Sequence, residues 1–166
     1  MEFKAFLIKY AEIGIKGKNR YMFEDALIRQ MKFALKEVGD FAIRKQAGRV
    51  FAEAKGEFDF DEAVAALKRV FGITGICPVI IEEDKDFEHL AKVCCQFMDE
   101  QYPDKHQTFK VYGRRADKRY PMNSMEFSAE MGSRILDAYP ELKVDVHHPD
   151  ILLTVEIRDK VYIYSS

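Results

Sequence analysis

The chain has 166 residues, of which 48% are hydrophobic and 33% charged, and its formal net charge at pH 7 is −2. This composition is typical of a soluble folded protein with one large domain or two small ones, and it excludes a chain that is basic throughout. No apolar run is long enough to span a bilayer, and the N-terminus lacks the features of a signal peptide. We therefore expect a cytoplasmic protein that does not bind membranes.

Hydrophobic periodicity in the first half predicts four strands and two helices in the order β-α-β-β-α-β. The first helix is expected between an N-cap at Asn19 and a closing glycine, Gly39. The second is expected between Asp59 or Asp61 and Gly72. This order is that of a split βαβ unit, so we predict a ferredoxin-like domain. The strands are predicted at residues 3–10, 41–45, 49–54 and 76–81.

A domain boundary is predicted in the acidic segment Glu82–Lys85, which follows the fourth strand. Pro78, near the start of that strand, indicates an edge strand or a strand end. We therefore divide the chain into a first domain, residues 1–82, and a second domain, residues 83–166. The chain stops almost at the end of its last predicted strand, and this abrupt stop suggests the front part of a longer protein.

The second half is predicted to mix two helices with four strands, which makes the whole chain an α+β protein. Asp86 is placed to cap a helix that ends near Tyr102. Asn123 and Glu126 have capping-box spacing, which predicts a second helix running to about Ala138. The strands are predicted at residues 108–113, 142–146, 151–158 and 161–164.

Cations crowd the predicted start of the first helix, where Lys16, Lys18 and Arg20 surround Asn19. Two glycines in the same loop let the backbone turn tightly and approach a ligand closely, and a helix N-terminus favours anions. The segment is therefore a candidate contact for a phosphate backbone, with a solvated turn as the alternative. It is not a nucleotide P-loop, because the spacing G-x-x-x-x-G-K-[ST] is absent.

A second basic cluster occupies the predicted loop that follows the strand at residues 108–113. Its cations can neutralise several phosphates, and Tyr120 offers a ring for base stacking. This cluster, like the first, lies between a strand and a capped helix. Two such clusters at equivalent positions favour nucleic acid as the ligand. The cations are Arg114, Arg115, Lys118 and Arg119.

No catalytic or metal-binding constellation is found in the sequence. His147 and His148 would point to opposite faces of a strand, so they could not share one ion. Cys77 stands alone and Cys94 adjoins Cys95, which fits neither a disulfide framework nor zinc-site spacing. We therefore predict no catalytic residue and no metal site, and we expect the thiols to pack in the core.

Residues 10–20, YAEIGIKGKNR, closely resemble the opening motif of the tRNA 4-thiouridine synthetases, the ThiI family. Residues 109–121, FKVYGRRADKRYP, look like the strand and basic loop of a THUMP domain, and residues 143–150 followed by 155–158 look like its closing strands. The resemblance covers essentially the whole chain. It implies a ferredoxin-like domain followed by a THUMP domain, and it places Lys110 among the candidate RNA-binding residues.

In that family the two domains dock tRNA, the THUMP domain holds the 3′ end of the acceptor stem, and an ATP-using PP-loop domain modifies uridine 8. This sequence lacks the S-G-G-x-D-S signature of the PP-loop domain. The resemblance therefore implies the tRNA-positioning half of a sulfurtransferase, which would not be catalytic alone. No cofactor is expected in this chain, and ATP only if a PP-loop domain follows.

The resemblance also implies partners. They are tRNA, a PP-loop catalytic domain in the same or a separate chain, and a sulfur-donating cysteine desulfurase. The family further implies a link to thiamine biosynthesis.

Three other functions remain open, one of which is a protein-interaction module, although the two basic loops disfavour it. THUMP domains also occur in tRNA methyltransferases and deaminases, which would make the chain the targeting half of another tRNA-modifying enzyme. Ferredoxin-like modules also bind small molecules as regulators, and fold alone does not settle function. Salt dependence separates RNA from a metabolite, because phosphate contacts weaken steeply with salt whereas binding in an apolar pocket does not.

Overall fold

The computed structural model describes residues 1–11, 18–46 and 48–166, with Lys18 described by its backbone alone. Within these residues the chain forms two compact units, one of residues 3–79 and one of residues 80–166 together with residues 1–2. No helix in the described part of the chain is long and apolar enough to cross a membrane.

The unit of residues 3–79 is an antiparallel sheet with two helices in the predicted order β-α-β-β-α-β, which is thus confirmed. The central strand β1 pairs with β3 on one side and β4 on the other, and β2 pairs with the outer side of β3. The elements are β1 (Ala5–Tyr10), α1 (Lys18–Leu35), β2 (Phe41–Gln46), β3 (Arg49–Ala54), α2 (Phe60–Lys68) and β4 (Ile73–Glu82).

The core of this unit forms where α1 and α2 cover the sheet. Phe6 and Ile8 of β1 are fully buried in one cluster with Leu27 and Met31 of α1 and Leu67 of α2. The helical spacing of the apolar residues explains this packing, because it puts them on one face of each helix.

Helix α1 differs from the prediction at both ends. It begins at Lys18, so Asn19 lies in the first turn and is not the N-cap, which must precede the helical residues. It ends at Leu35, whose carbonyl accepts the Gly39 N–H at 3.1 Å. Gly39 is not in the left-handed conformation of a closing glycine. It instead makes room for Phe58, whose Cβ would lie 3.3 Å from a Cβ at residue 39.

Strand β4 starts earlier than predicted because Gly72 turns the chain directly into the sheet. Gly72 has φ +97°, and its carbonyl accepts the Ala11 N–H at 3.0 Å beside the first β1–β4 pair, Tyr10 with Ile73. Pro78 lies inside the strand. Before Ile80, β4 pairs only with β1 among the described residues, so Pro78 lies in the part of the strand that forms a sheet edge, whereas the end of β4 pairs with β8.

The second unit builds a mixed sheet on the last three residues of β4. Its order is β4-β8-β7-β5-β6, in which β5 runs parallel to β7 and β6, and β8 runs antiparallel to its two neighbours. The elements are α3 (Phe87–Gln101), β5 (Thr108–Arg115), α4 (Ser124–Ala138), β6 (Lys143–Val144), β7 (Ile151–Ile157) and β8 (Val161–Ser165).

Both helices of this unit have the predicted N-caps. The Asp86 carboxylate accepts the His89 N–H at 3.2 Å, and the Asn123 side-chain oxygen accepts the Glu126 N–H at 2.9 Å. Each cap satisfies a backbone donor that the helix leaves free.

Strands β5 and β6 differ in length from the prediction. Strand β5 continues through Arg114 and Arg115, which therefore belong to a strand and not to the basic loop. Strand β6 is only two residues long because Asp145 turns the chain after it. The Asp145 carboxylate accepts the N–H groups of His147 and His148, both at 3.0 Å. The two histidines are thus in a turn, not on a strand.

Candidate nucleic-acid interface

The first basic cluster is only partly described. Lys16 and the side chain of Lys18 lie outside the described residues. Asn19 is exposed in the first turn of α1. In this cluster the structure therefore describes the side-chain contacts of Arg20.

Arg20 lies against its own unit. Its Nη2 donates to the Tyr10 hydroxyl at 3.3 Å, and that hydroxyl donates to the buried carboxylate of Glu24. Burial and the hydrogen bond to Glu24 raise the pKa of Tyr10. A Cβ at Gly48, which has φ +81°, would lie 2.6 Å from Arg20 Nη2. The guanidinium therefore packs across the β2–β3 turn and helps to hold the start of α1.

The second unit presents a row of side chains on one face of β5. Lys110, Tyr112 and Arg114 alternate along the strand, so they point to the same side. The Tyr112 residue is 48% exposed and the Arg114 side chain 62% exposed. Sequence reasoning missed Tyr112, although the alternation of Lys, Tyr and Arg in a predicted strand carried the signal.

An open groove of about 640 Å³ runs between β5 and α4. Its walls are mainly apolar, with small residues on the helix side, and Lys110 and Arg114 lie along the strand side. Val144 and Val146 are each more than half exposed in its lining. Further lining residues are Tyr112, Met125, Ala129, Gly132 and Leu136.

Helix α4 reaches the outer edge of β5 because residue 113 is glycine. A Cβ there would lie 2.6 Å from Cδ1 of Phe127 and 3.1 Å from Oγ of Ser128. Two serines of the helix accept hydrogen bonds from backbone N–H groups of the strand. Ser128 Oγ accepts the Gly113 N–H and Ser124 Oγ accepts the Arg115 N–H, both at 2.9 Å. These serines occupy donors that an added strand would need, so the groove is better suited to a ligand that meets side chains.

The cations of the second cluster are held in different ways. Arg114 Nη1 lies 3.9 Å from the buried carboxylate of Glu156, and Arg115 Nη1 donates to the Tyr120 carbonyl at 3.3 Å. Lys118 is exposed. Arg119 is 89% exposed in its side chain and pairs with an acid two residues earlier in the chain.

That acid, Asp117, sits inside the basic cluster. Its carboxylate accepts Arg119 Nε at 3.0 Å and Nη2 at 3.3 Å, and Lys85 Nζ at 3.0 Å. These hydrogen bonds, first from Arg119 and then from Lys85, hold the pKa of Asp117 well below its usual range. The carboxyl is therefore ionised at neutral pH and offsets part of the local positive charge.

Tyr120 does not present its ring to solvent. The residue is 8% exposed, and its ring packs edge-on against Phe127 with centroids 6.1 Å apart. Burial raises the pKa of its hydroxyl. The expected stacking role of Tyr120 is therefore corrected: the ring belongs to the core under the basic segment, and the exposed aromatic nearby is Tyr112.

The thiols are buried or, for Cys95, half-buried. Cys77 and Cys94 are buried, and burial raises the pKa values of Cys94 and Cys95, so these two thiols stay protonated. Among the described residues, no group of three or more His, Cys, Asp or Glu side chains could hold a metal ion.

Comparison with known proteins matches both halves of the chain. The family model for the ThiI ferredoxin-like domain matches residues 5–77, and the model for the THUMP domain matches residues 84–166. The predicted α+β class, a ferredoxin-like domain followed by a THUMP domain, is thereby confirmed.

Curated relatives carry the name "Probable tRNA sulfurtransferase". The protein from Lachnospira eligens is 57% identical over 165 residues, which cover 98% of this chain and 42% of that protein. The protein from Agathobacter rectalis is 52% identical over 165 residues, covering 99% and 42% respectively. The chain thus spans about two fifths of the length of these relatives.

A solved structure has the same architecture. The crystal structure of a 4-thiouridine synthetase in complex with RNA and bound ATP superposes with a TM-score of 0.70 and 32% identity, over 99% of this chain and 41% of that one. From these matches we conclude that the chain belongs to the ThiI family, with that family's ferredoxin-like domain followed by a THUMP domain.

Proposed function

We propose that this chain binds tRNA and positions its acceptor stem and single-stranded 3′ end for 4-thiouridine synthesis at position 8. The observation that carries the proposal is the row Lys110, Tyr112 and Arg114 beside the groove of about 640 Å³. A cation, an aromatic ring and a second cation on one strand face are the groups with which proteins bind single-stranded nucleic acid.

The geometry of the strand supports this arrangement. Alternate residues of a strand lie about 6.6 Å apart, so Lys110 and Arg114, on either side of Tyr112, lie about 13 Å apart. The two cations can therefore meet phosphates on either side of a base that stacks on Tyr112. The cations fix the register of the RNA without reading its sequence. Specificity then comes from the shape of tRNA and from its unpaired 3′ end.

Lys118 and Arg119, next to this row, extend the proposed contact to the phosphates of the stem. In the first unit, Lys16, Lys18 and Asn19 are proposed to add phosphate contacts, with Arg20 holding the start of α1. The names of the relatives and the RNA-bound neighbour support RNA as the ligand.

The catalytic step is proposed to belong to a PP-loop domain, in the same chain or a separate one, which would use ATP. A cysteine desulfurase would donate the sulfur. By analogy with the family, the chain would also be linked to thiamine biosynthesis. It would act in the cytoplasm. This chain holds the substrate and contributes no catalytic residue of its own in this proposal.

The decisive experiment compares Tyr112→Ala with the unsubstituted chain on two ligands, intact tRNA and the same tRNA without its single-stranded 3′ end. Loss of a stacked base costs about 1–3 kcal/mol, which is roughly a 5- to 150-fold loss of affinity. We expect Tyr112→Ala to lower the affinity for intact tRNA by this factor. For the shortened tRNA, we expect the variant and the unsubstituted chain to bind with equal affinity. Phe33→Ala, at an aromatic that is 82% exposed in the other unit, is the matched control.

The result that would contradict the proposal is equal affinity of the Tyr112→Ala variant and the unsubstituted chain for intact tRNA. The apolar lining of the groove also suits a small-molecule ligand, which is the second candidate function. A ligand of that kind would bind with little dependence on salt, whereas the affinity for tRNA should fall steeply as salt rises.

A further inference from the structure

Asp117 is the centre of a small network in the second unit. Besides its bonds to the Arg119 guanidinium, its carboxylate accepts the Arg119 backbone N–H at 3.1 Å. Its side chain is only 15% exposed, whereas that of Arg119 is 89% exposed. The Asp117 carboxylate is thus mostly buried, and it holds by hydrogen bonds an arginine whose side chain is exposed to solvent.

Lys85 fixes the network to the rest of the unit. Its ammonium group donates to Asp117 at 3.0 Å and to the Arg158 carbonyl at 2.7 Å, and its side chain is 26% exposed. The backbone N–H of Asp117 also donates to the Ile157 carbonyl at 3.0 Å. The basic segment is therefore tied at one residue to the end of β7 and to the residues that precede α3.

A carboxylate has a cost in a surface that binds phosphates, because it repels the ligand and neutralises cations that would attract it. The presence of the Asp117 carboxylate is explained if the orientation of Arg119 matters more for binding than the total positive charge of the segment. A planar guanidinium held by two hydrogen bonds presents its remaining donors in one direction, which a free cation does not do.

We propose that Asp117 is a positioning residue, which sets the direction of Arg119 and withholds Lys85 from the ligand, so that the basic segment prefers the shape of tRNA to other RNA. The inference rests on the proposed function, since it concerns the same interface. In this proposal, the Asp117 side chain determines which RNA is preferred and does not increase the affinity for RNA in general.

The test compares affinities for tRNA and for a blunt RNA duplex of the same length as the acceptor arm. For Asp117→Asn we expect tighter binding of the duplex and a lower ratio of tRNA affinity to duplex affinity. Each cation released should also steepen the dependence of log affinity on log salt by roughly 0.7–0.9. A purely structural role of Asp117 would change the melting temperature and leave this ratio unchanged.

Two further variants keep the test decisive. Arg119→Lys, at a side chain that is 89% exposed, retains the charge and the fold but loses the bidentate grip on Asp117. We expect an unchanged salt dependence and a several-fold lower affinity ratio. Asp137→Asn makes the same charge change at an exposed residue near the far end of α4, roughly 20 Å from the start of that helix, and should change neither quantity.

An unchanged affinity ratio in both Asp117→Asn and Arg119→Lys would overturn the inference, as would equal effects of Asp117→Asn and Asp137→Asn. If Asp117→Asn does not fold, the ratio for Arg119→Lys decides the question alone. The affinity of the unsubstituted chain for tRNA is measured first. If this chain does not bind tRNA, the proposed function itself is refuted, independently of the variants.

Discussion

The close approach of α4 to β5 makes Gly113→Ala the sharpest test of the packing in the second unit. The added Cβ would lie 2.6 Å from Phe127 Cδ1, far inside normal contact. Phe127 cannot yield easily, because it is fully buried between the rings of Phe87 and Tyr120, with centroids 5.7 and 6.1 Å away. The helix itself must therefore move away from the strand.

The expected magnitude follows from three contributions. Overpacking of a core costs about 1–3 kcal/mol. Weakening of the hydrogen bond from the Gly113 N–H to Ser128 costs about 1 kcal/mol more. Replacing glycine stabilises by about 0.4–1 kcal/mol through the unfolded chain. We therefore expect Gly113→Ala to lower the free energy of unfolding by about 1–4 kcal/mol.

Urea unfolding followed by circular dichroism measures this change, and Gly132→Ala is the matched control on the same helix. A Cβ at Gly132 meets nothing within 4 Å, so alanine should raise the free energy of unfolding by about 1 kcal/mol through helix propensity. Equal stability of Gly113→Ala and the unsubstituted chain, or a shift in the same direction for both substitutions, would show that residue 113 does not limit the approach of α4.

Three further outcomes are expected. Asn123→Ala removes the cap of α4 and should cost about 1 kcal/mol in urea unfolding, whereas the exposed Asp104→Ala, which caps no helix, should cost less. Cys94 should resist iodoacetamide at pH 8 in the folded chain, as read by mass spectrometry, because burial raises its thiol pKa; rapid labelling would contradict this. Folding lowers the pKa of Asp117, so its stabilisation is fully present above the unfolded pKa and is lost as pH falls through the folded pKa. Asp117→Asn should therefore lose less stability than the unsubstituted chain when the pH falls from about 5 to about 2.

The element order could be predicted because apolar residues recur at helical or strand spacing throughout the chain. The N-caps at Asp86 and Asn123 were also predictable, since capping depends on residues only three apart. The length of β5 was not, because nothing local marks its end: Arg114 and Arg115 continue the strand through pairing with Glu156 and Ile157, which are distant in sequence.

The sequence predicted where the basic segment lies in the fold, and the binding role of its residues stays a prediction. The basic segment lies at the end of a strand and before a capped helix, as expected. Which tyrosine is exposed depends on tertiary contacts, because Tyr120 is buried only through Phe127, whereas Tyr112 is on the open side of β5. The grip of Lys85 on Asp117 likewise joins residues that lie far apart in the sequence.

The position of β8 in the second sheet has a consequence for how the chain folds during synthesis. Among the described strands, β8, at residues 161–165, is synthesised last, yet it lies between β4 and β7. Until it arrives, β7 and the end of β4 each expose an unpaired edge, and such edges invite association with other chains. The described strands of the unit of residues 3–79 pair with one another, so this unit can complete its sheet during synthesis while the sheet of the second unit is still open.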